Sequence, residues 1–285
     1  MSHGESRTGT YGIVTSALQE ESMGSLDDAV RLEAAGPGVW TSYADPDHES
    51  INGMFGGWTA AVSVAAVIAS ADEALRPSAL TISYLSVVTP QTTSAIHVER
   101  LGGSRSIDHW RADLRASDTG ELQATASMVL TARRPTEAHD QWSMPRAAAP
   151  NALPEFHAPG TQGQQTDIRR LSGDDDGFGS GDTRTTHWIR MASGRQLDHL
   201  QLAYLADQFA PRSFYWGVGR RPSATLTMTV YFHATDDELA EVGTGYILNE
   251  ATGTRGSHAT SGQQARMWSP TGALLATTEQ LAWYR

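Results

Sequence analysis

The chain has 285 residues with 21 basic and 32 acidic side chains, a net charge of −11, a balance that excludes a protein devoted to coating nucleic-acid phosphates or anionic membrane. Every basic residue is Arg, so Schiff-base chemistry, pyridoxal phosphate anchoring and the Lys-dependent phosphate loop are excluded. Cys is absent as well, which removes thiol nucleophiles, thiolate metal sites and disulfides.

Residues 1–24 are polar and unpatterned and read as a lead-in; without an apolar signal core they point to a cytoplasmic protein. Ser25–Ala35 reads as a short surface helix, capped by Ser25 with Asp27 and Asp28 in its first turn and Gly36 beyond its end. Gly38–Ala44 is a strand by its β-branched and aromatic content. Asp45, Asp47 and Glu49 mimic the start of a calcium loop, but Ser50 stands where Gly is needed and no closing Glu follows.

Asn52–Gly57 leads into a helix predicted to run through about Leu75. It is apolar on nearly all sides and must therefore be wrapped by protein. Its longest apolar run, Ala60–Ala69, is about half of the ~20 residues needed to span a membrane. Gly56 and Gly57 at its start either allow a tight packing turn or let the helix N-terminus polarise an oxygen of a ligand. Four strands follow at about Ala79–Val88, Ala95–Leu101, Ile107–Ala116 and Leu122–Thr131, an antiparallel meander punctuated by Pro90, Gly102-Gly103 and Asp118-Thr119-Gly120.

Between residues 134 and 184 the composition shifts to Pro, Ala and Gly, which reads as a linker or surface loop. The acidic run Asp174–Asp176 lacks calcium-ligand spacing and reads as part of that solvated loop. Thr185–Met191 is a strand, and Leu197–Arg212 a second central helix. Four more strands run Ala224–Phe232, Val242–Asn249, Ser257–Trp268 and Leu274–Tyr284.

The second half thus repeats the first. Leu80-Thr81-Ile82 answers Leu226-Thr227-Met228 at an offset of 146, and the segment from Asp118 to Thr125 answers that from Pro270 to Thr277 at an offset of 152. The organisation predicted is an N-terminal copy over 1–133, a linker over 134–184 and a C-terminal copy over 185–285. On the second helix Leu200, Ala203, Tyr204 and Asp207 share one face by their spacing. A carboxylate there either faces water at the helix end or loses solvation and gains an unusual pKa. The repeat bears on this choice: Met128 stands 152 residues before Gln280, and the first helix carries no acid until Asp72. One polar set, and so one active site per chain, is expected.

A long helix followed by an antiparallel sheet that wraps it, occurring twice, looks like an α+β double hot-dog fold. More narrowly, the chain resembles the acyl-CoA thioesterase II family, through Met54–Ala61 (MFGGWTAA), Leu202–Asp207 (LAYLAD), Ala224–His233 (ATLTMTVYFH) and Thr271–Gln280 (TGALLATTEQ). The resemblance implies hydrolysis of a fatty acyl-CoA to free acid and CoA by a water held by Asp207, Thr225 and Gln280, with the thioester carbonyl polarised near Gly56 and Gly57. It implies no cofactor, no metal ligands and a homodimer of double hot-dogs. Such chemistry is reasonable for these side chains, since a carboxylate can accept the water's proton while Thr and Gln both donate and accept. Thr227 stands two positions after Thr225, where relatives often carry an acid, so no second carboxylate is assigned.

Arg212, Arg220 and Arg221 are candidates for CoA phosphates by their position in the sequence. His109, His199, His233 and His258 have no metal-helix spacing and read as structural or surface residues. The alternatives are a hot-dog enoyl-CoA hydratase or dehydratase, which would want a His beside the acid where His199 lies two turns away, and a non-catalytic acyl-CoA-binding protein.

Overall fold

In the computed structural model, residues 25–173 and 178–285 are described, so the lead-in and the Asp174–Asp176 run lie outside the description. Helix α1 (Leu26–Ala29) opens the described chain and is followed by β1 (Glu33–Gly36), β2 (Val39–Tyr43), β3 (Glu49–Ser50) and β4 (Gly53–Met54). The first central helix, α2 (Gly56–Ile68), precedes the meander β5 (Arg76–Tyr84), β6 (Thr93–Ser104), β7 (Ile107–Ala116) and β8 (Leu122–Thr131). Then come β9 (Glu155–Phe156), β10 (Thr166–Ser172) and β11 (Thr185–Met191), the second central helix α3 (His199–Leu205), and β12 (Ser223–Phe232). Helix α4 (Asp236–Val242) and strands β13 (Ile247–Ser257), β14 (Thr260–Trp268) and β15 (Leu274–Tyr284) complete it.

Thirteen of these strands form one sheet in the order β1-β2-β6-β7-β8-β5-β12-β15-β14-β13-β11-β10-β9. Neighbours are antiparallel throughout, and the order β2-β6-β7-β8-β5 is mirrored as β11-β13-β14-β15-β12 about the β5–β12 junction. Helix α2 packs on β5–β8 and against α3, so it is enclosed on several sides. That is why ten of its thirteen residues are buried and no polar stripe is needed. One continuous core joins both halves.

The register corrects the offset of the repeat. Leu80 lies opposite Met128, and Met228 lies opposite Gln280. The in-and-out order of Leu122–Met128 matches that of Leu274–Gln280, which keeps the offset of 152 for those strands. Leu80 therefore corresponds to Met228, 148 residues on, and not to Leu226. The bulges agree: Ser78 between Pro77 and Ala79 matches Leu226 between Thr225 and Thr227. At the junction the equivalent residues Thr81 and Thr229 face each other, with hydroxyls 3.1 Å apart, where the pseudo-two-fold crosses the sheet. A slip of two residues keeps every side chain on its face, so the apolar pattern carries no trace of it.

Other elements depart from expectation for local reasons. Helix α1 keeps its Ser25 cap but ends at Ala29, because Glu33–Gly36 pairs with β2 in a hairpin. Helix α2 stops at Ile68, where Ser70 turns its hydroxyl back to Ala66 O (2.9 Å) and Asp72 accepts from Ala74 N (2.9 Å). Helix α3 spans seven residues, not sixteen. Asp198 caps it through Gln201 N (2.8 Å), and Pro211 disfavours helical backbone at the residue before it. Helix α4 includes Val242, the predicted start of a strand that begins instead at Ile247, and is set by a capping box in which Thr235 and Glu238 satisfy each other's backbone N–H. Within 134–184, β10 pairs with β11 and joins the sheet, while Ala148 O accepts from Trp188 Nε1 (2.8 Å) on the other face. Thr166, Ile168 and Arg170 alternate as a strand should, although Pro and Gly crowd the sequence around them. Asp45, the first residue of the calcium-like pattern, caps a short turn by accepting from Asp47 N (3.0 Å).

Candidate active site

The C-terminal end of α3 meets the N-terminal end of α2, and Asp207 stands at that junction, just past the helix and not on its face as the spacing implied. The two ends approach closely because α2 begins with two glycines. A Cβ on Gly57 would lie 2.3 Å from Tyr204 O, and one on Gly56 would lie 2.6 Å from Asp207 Oδ2. Gly57 N–H donates to the Asp207 carboxylate, as suits an anion at a helix N-terminus.

Gln280, from β15, donates from Nε2 to Asp207 Oδ1 at 2.9 Å. Its Oε1 accepts from Gln263 Nε2 of β14 at 2.7 Å and more weakly from Thr225 Oγ1 of β12 at 3.4 Å. The three residues singled out in the sequence, Asp207, Thr225 and Gln280, are thus brought together, with Gln280 as the link. In the first copy, Met128 and Pro77 occupy the places of Gln280 and Thr225, so the corresponding positions there carry no side-chain donor.

Asp207 retains a little accessible surface, which faces a cleft of about 800 Å³ also lined by Gly56, Tyr84, Thr225, Gln263 and Gln280. Burial pushes its carboxyl up to about 7, against the opposing help of the Gln280 amide and the Gly57 N–H. A carboxyl in that range exchanges a proton readily near neutrality. Burial, and then the Asp207 charge, pushes the phenol of Tyr84 well above its ordinary value, and the same causes raise Tyr204. Tyr84 donates its O–H to Gly56 O at 3.0 Å, and Tyr204 shares a 3.0 Å hydrogen bond with His48 Nδ1.

Several residues around this site escaped sequence reasoning. His48 and Tyr84 sit far from Asp207 in the chain, and nothing local marks them. Gln263 is different: along β14 the buried residues Ser261, Gln263, Ala265 and Met267 alternate, so a glutamine on the inward face was legible from period-two patterning.

Arg212 does not serve as a phosphate ligand. It is fully buried, and its guanidinium donates to Ala210 O (2.6 Å from Nη2), Thr183 O (2.9 Å) and Thr185 Oγ1 (2.9 Å), clamping the chain after α3 to β11. Arg220 and Arg221 do line the cleft, and Arg221 Nη2 donates to Trp216 O at 2.7 Å. His199 lies at the first turn of α3, against Phe232, at the opposite end of the helix from Asp207. No helix among the described residues is long and apolar enough to cross a membrane.

Comparison with known proteins places these features in a family. Residues 44–130 match the acyl-CoA thioesterase N-terminal domain, and residues 135–284 the acyl-CoA thioesterase C-terminal domain. A hot-dog protein of unknown function from Alicyclobacillus acidocaldarius superposes with a TM-score of 0.85 at 31% identity, covering 91% of this chain and 97% of that one. An acyl-CoA thioesterase II from Mycobacterium marinum superposes at 0.73 with 18% identity, over 92% and 98% of the two chains. A tesB protein from Mycobacterium avium subspecies paratuberculosis does so at 0.77 with 19% identity, over 93% and 100%. A search of curated proteins finds no match. With both of its halves matched, the chain belongs to the acyl-CoA thioesterase family, as a thioester hydrolase with the α+β double hot-dog fold.

Proposed function

We propose that this chain hydrolyses a fatty acyl-CoA to free acid and CoA at the junction of α2 and α3. The observation that carries this reading is a carboxyl poised near neutrality, held by Gln280 and the Gly57 N–H, and open to the cleft. A water placed between Asp207, Gln280 and Thr225 attacks the thioester carbonyl carbon as Asp207 takes its proton. Charge then develops on the carbonyl oxygen, and the α2 N-terminus at Gly56 and Gly57 is oriented to oppose it. As the tetrahedral intermediate collapses, the C–S bond breaks and Asp207 returns the proton to the departing thiolate.

The two-copy division at 1–133 and 185–285 fits this asymmetry, one copy supplying Asp207, Thr225 and Gln280 and the other supplying Gly56, Gly57 and Tyr84. Arg220 and Arg221 line the cleft and are the residues that would meet the phosphate groups of CoA. The test is release of free thiol from acyl-CoAs of graded chain length. Turnover is expected for part of that series, and saturable binding without thiol release at any length would reject hydrolysis.

We also propose that two chains pair. Leu226 (38% exposed), Tyr231 (50%), Leu281 (42%) and Trp283 (38%) lie on the outward faces of adjacent strands β12 and β15, a grouping of large apolar side chains that suits an interface. Sedimentation is expected to give twice the chain mass, with Trp283→Glu shifting the protein toward one copy.

A further inference from the structure

The hydrogen bonds behind Asp207 form a directed chain whose far end can run only one way. Arg212 N–H, a backbone donor with no acceptor character, donates to Gln263 Oε1 at 2.9 Å. That fixes the Gln263 amide, so its Nε2 faces Gln280 Oε1 at 2.7 Å. Gln280 is fixed in turn, and its Nε2 faces Asp207 Oδ1 at 2.9 Å. Gln263 is only 3% exposed and Gln280 only 2%, so their partners within the protein, and not bulk solvent, set how the two amides turn. An amide can present either its oxygen or its nitrogen by turning half a revolution, and surroundings alone choose between them.

We propose that Gln263 is a positioning residue for hydrolysis: it transmits the polarity of the Arg212 backbone N–H to Gln280, so that Gln280 always offers a donor to the Asp207 carboxylate. This rests on the reading of Asp207 as the proton acceptor. The alternative orientation of Gln280 would put its carbonyl oxygen against Asp207, an arrangement compatible only with the protonated acid. Gln263 thus favours the ionised carboxylate without touching it.

Replacing Gln263 by Glu reverses the chain at nearly constant shape. Both oxygens of an ionised glutamate accept, so the bond from Arg212 N–H survives, while Gln280 must turn its Nε2 toward residue 263 and its Oε1 toward Asp207. The groups facing Asp207 from the surrounding elements are Gly56 and Gly57 of α2, Tyr84 of β5, Tyr204 of α3 and Gln280 of β15, with Thr225 of β12 behind Gln280. Both tyrosines stay protonated across the working range, so the limb of the wild-type and Gln263→Leu profiles belongs to Asp207, while in Gln263→Glu it belongs to the pair of carboxyls at 207 and 263.

The experiment is the pH dependence of kcat and KM for thiol release from an acyl-CoA that the wild type turns over, measured on wild type, Gln263→Glu, Gln263→Leu and Asp207→Asn. For Gln263→Glu the midpoint of the rising limb is expected to move up by at least one pH unit. Its kcat should fall tenfold or more at pH 7 and recover to within a few fold of wild type at pH 9, with KM changed less than threefold. Gln263→Leu, which keeps Gln280 free to adopt both orientations and places no charge in the interior, is expected to show a smaller shift in the same direction. Wild-type midpoints in both variants, with Asp207→Asn inactive, would overturn the positioning role and leave the proton acceptor in place. Activity persisting in Asp207→Asn would overturn the reading beneath it. If Gln263→Glu does not fold, Gln263→Leu decides by the same shift.

Discussion

Asp207→Asn is expected to lower kcat/KM for acyl-CoA hydrolysis by roughly 10²- to 10⁴-fold, the usual cost of losing a positioned base. Asn keeps the shape and one acceptor oxygen for the surrounding N–H donors while losing the basic oxygen, so the loss reads chiefly the proton-accepting role. In the wild type, kcat/KM should rise as pH passes through about 7, the value to which burial pushes this carboxyl. The variant should lack that limb. Stability moves the opposite way. The carboxyl binds its proton more tightly in the folded chain than in the unfolded one, so its contribution is fully present below pH about 4 and is lost as pH rises through about 7. The Asn side chain has no such loss, and the difference in Tm, variant minus wild type, should grow from pH 4 to pH 8. Residual activity within tenfold of wild type, or a Tm difference flat across that range, would show that Asp207 is not the buried base.

How far this site was legible from sequence depends on what kind of interaction holds each part. Strands β7, β8 and β15 appear within the bounds read from alternation and turn residues, because each has an alternating inward face and a Gly-containing or polar turn at an end, while β11, buried on both faces, is marked by its β-branched and aromatic content. Asp207 is conspicuous as the one charge among apolar neighbours, yet its location just past the helix goes with the close packing of Tyr204 O against Gly57, which periodicity does not encode. The shift of the repeat offset from 146 to 148 is visible only in the strand register, with paired bulges at Ser78 and Leu226 in agreement. Tyr84 belongs to the site through a hydrogen bond between segments distant in sequence, and so does Gln263, whose inward face alternation displays but whose partners it does not. Burial in a shared core determines such contacts, and a single chain read in order does not display them. Arg212 shows the converse error, since proximity in sequence suggested a phosphate ligand where folding spends its donors on Ala210 O after α3 and on Thr183 O and Thr185 Oγ1 at the start of β11.

The two glycines that open α2 should separate catalysis from stability. At Gly57 a methyl group would meet Tyr204 O at 2.3 Å and the Phe55 ring at 2.4 Å. The first is helix backbone, so Gly57→Ala can be accommodated only by moving α2 away from α3, and overpacking of this kind costs about 1–3 kcal/mol or more. A fall in Tm of several degrees is expected, with activity falling alongside it. At Gly56 the obstacle is Asp207 Oδ2, at 2.6 Å, and it belongs to a side chain that can swing aside. Gly56→Ala should therefore leave Tm within about a degree or two of wild type, since Ala is the better helix former by roughly 1 kcal/mol and offsets part of the crowding. Its kcat should nevertheless fall by about 10²-fold, because displacing a reacting group by an ångström costs on that order. Thermal melts and thiol-release kinetics on the two single variants measure this directly. If Gly56→Ala keeps wild-type kcat while Tm stays unchanged, the carboxylate tolerates displacement and the close approach of the helix start serves packing alone. If the two variants lose Tm equally, both glycines serve the helix contact. A kcat loss confined to Gly56→Ala at constant Tm is the outcome that ties the absence of a side chain at this one position to the chemistry of Asp207.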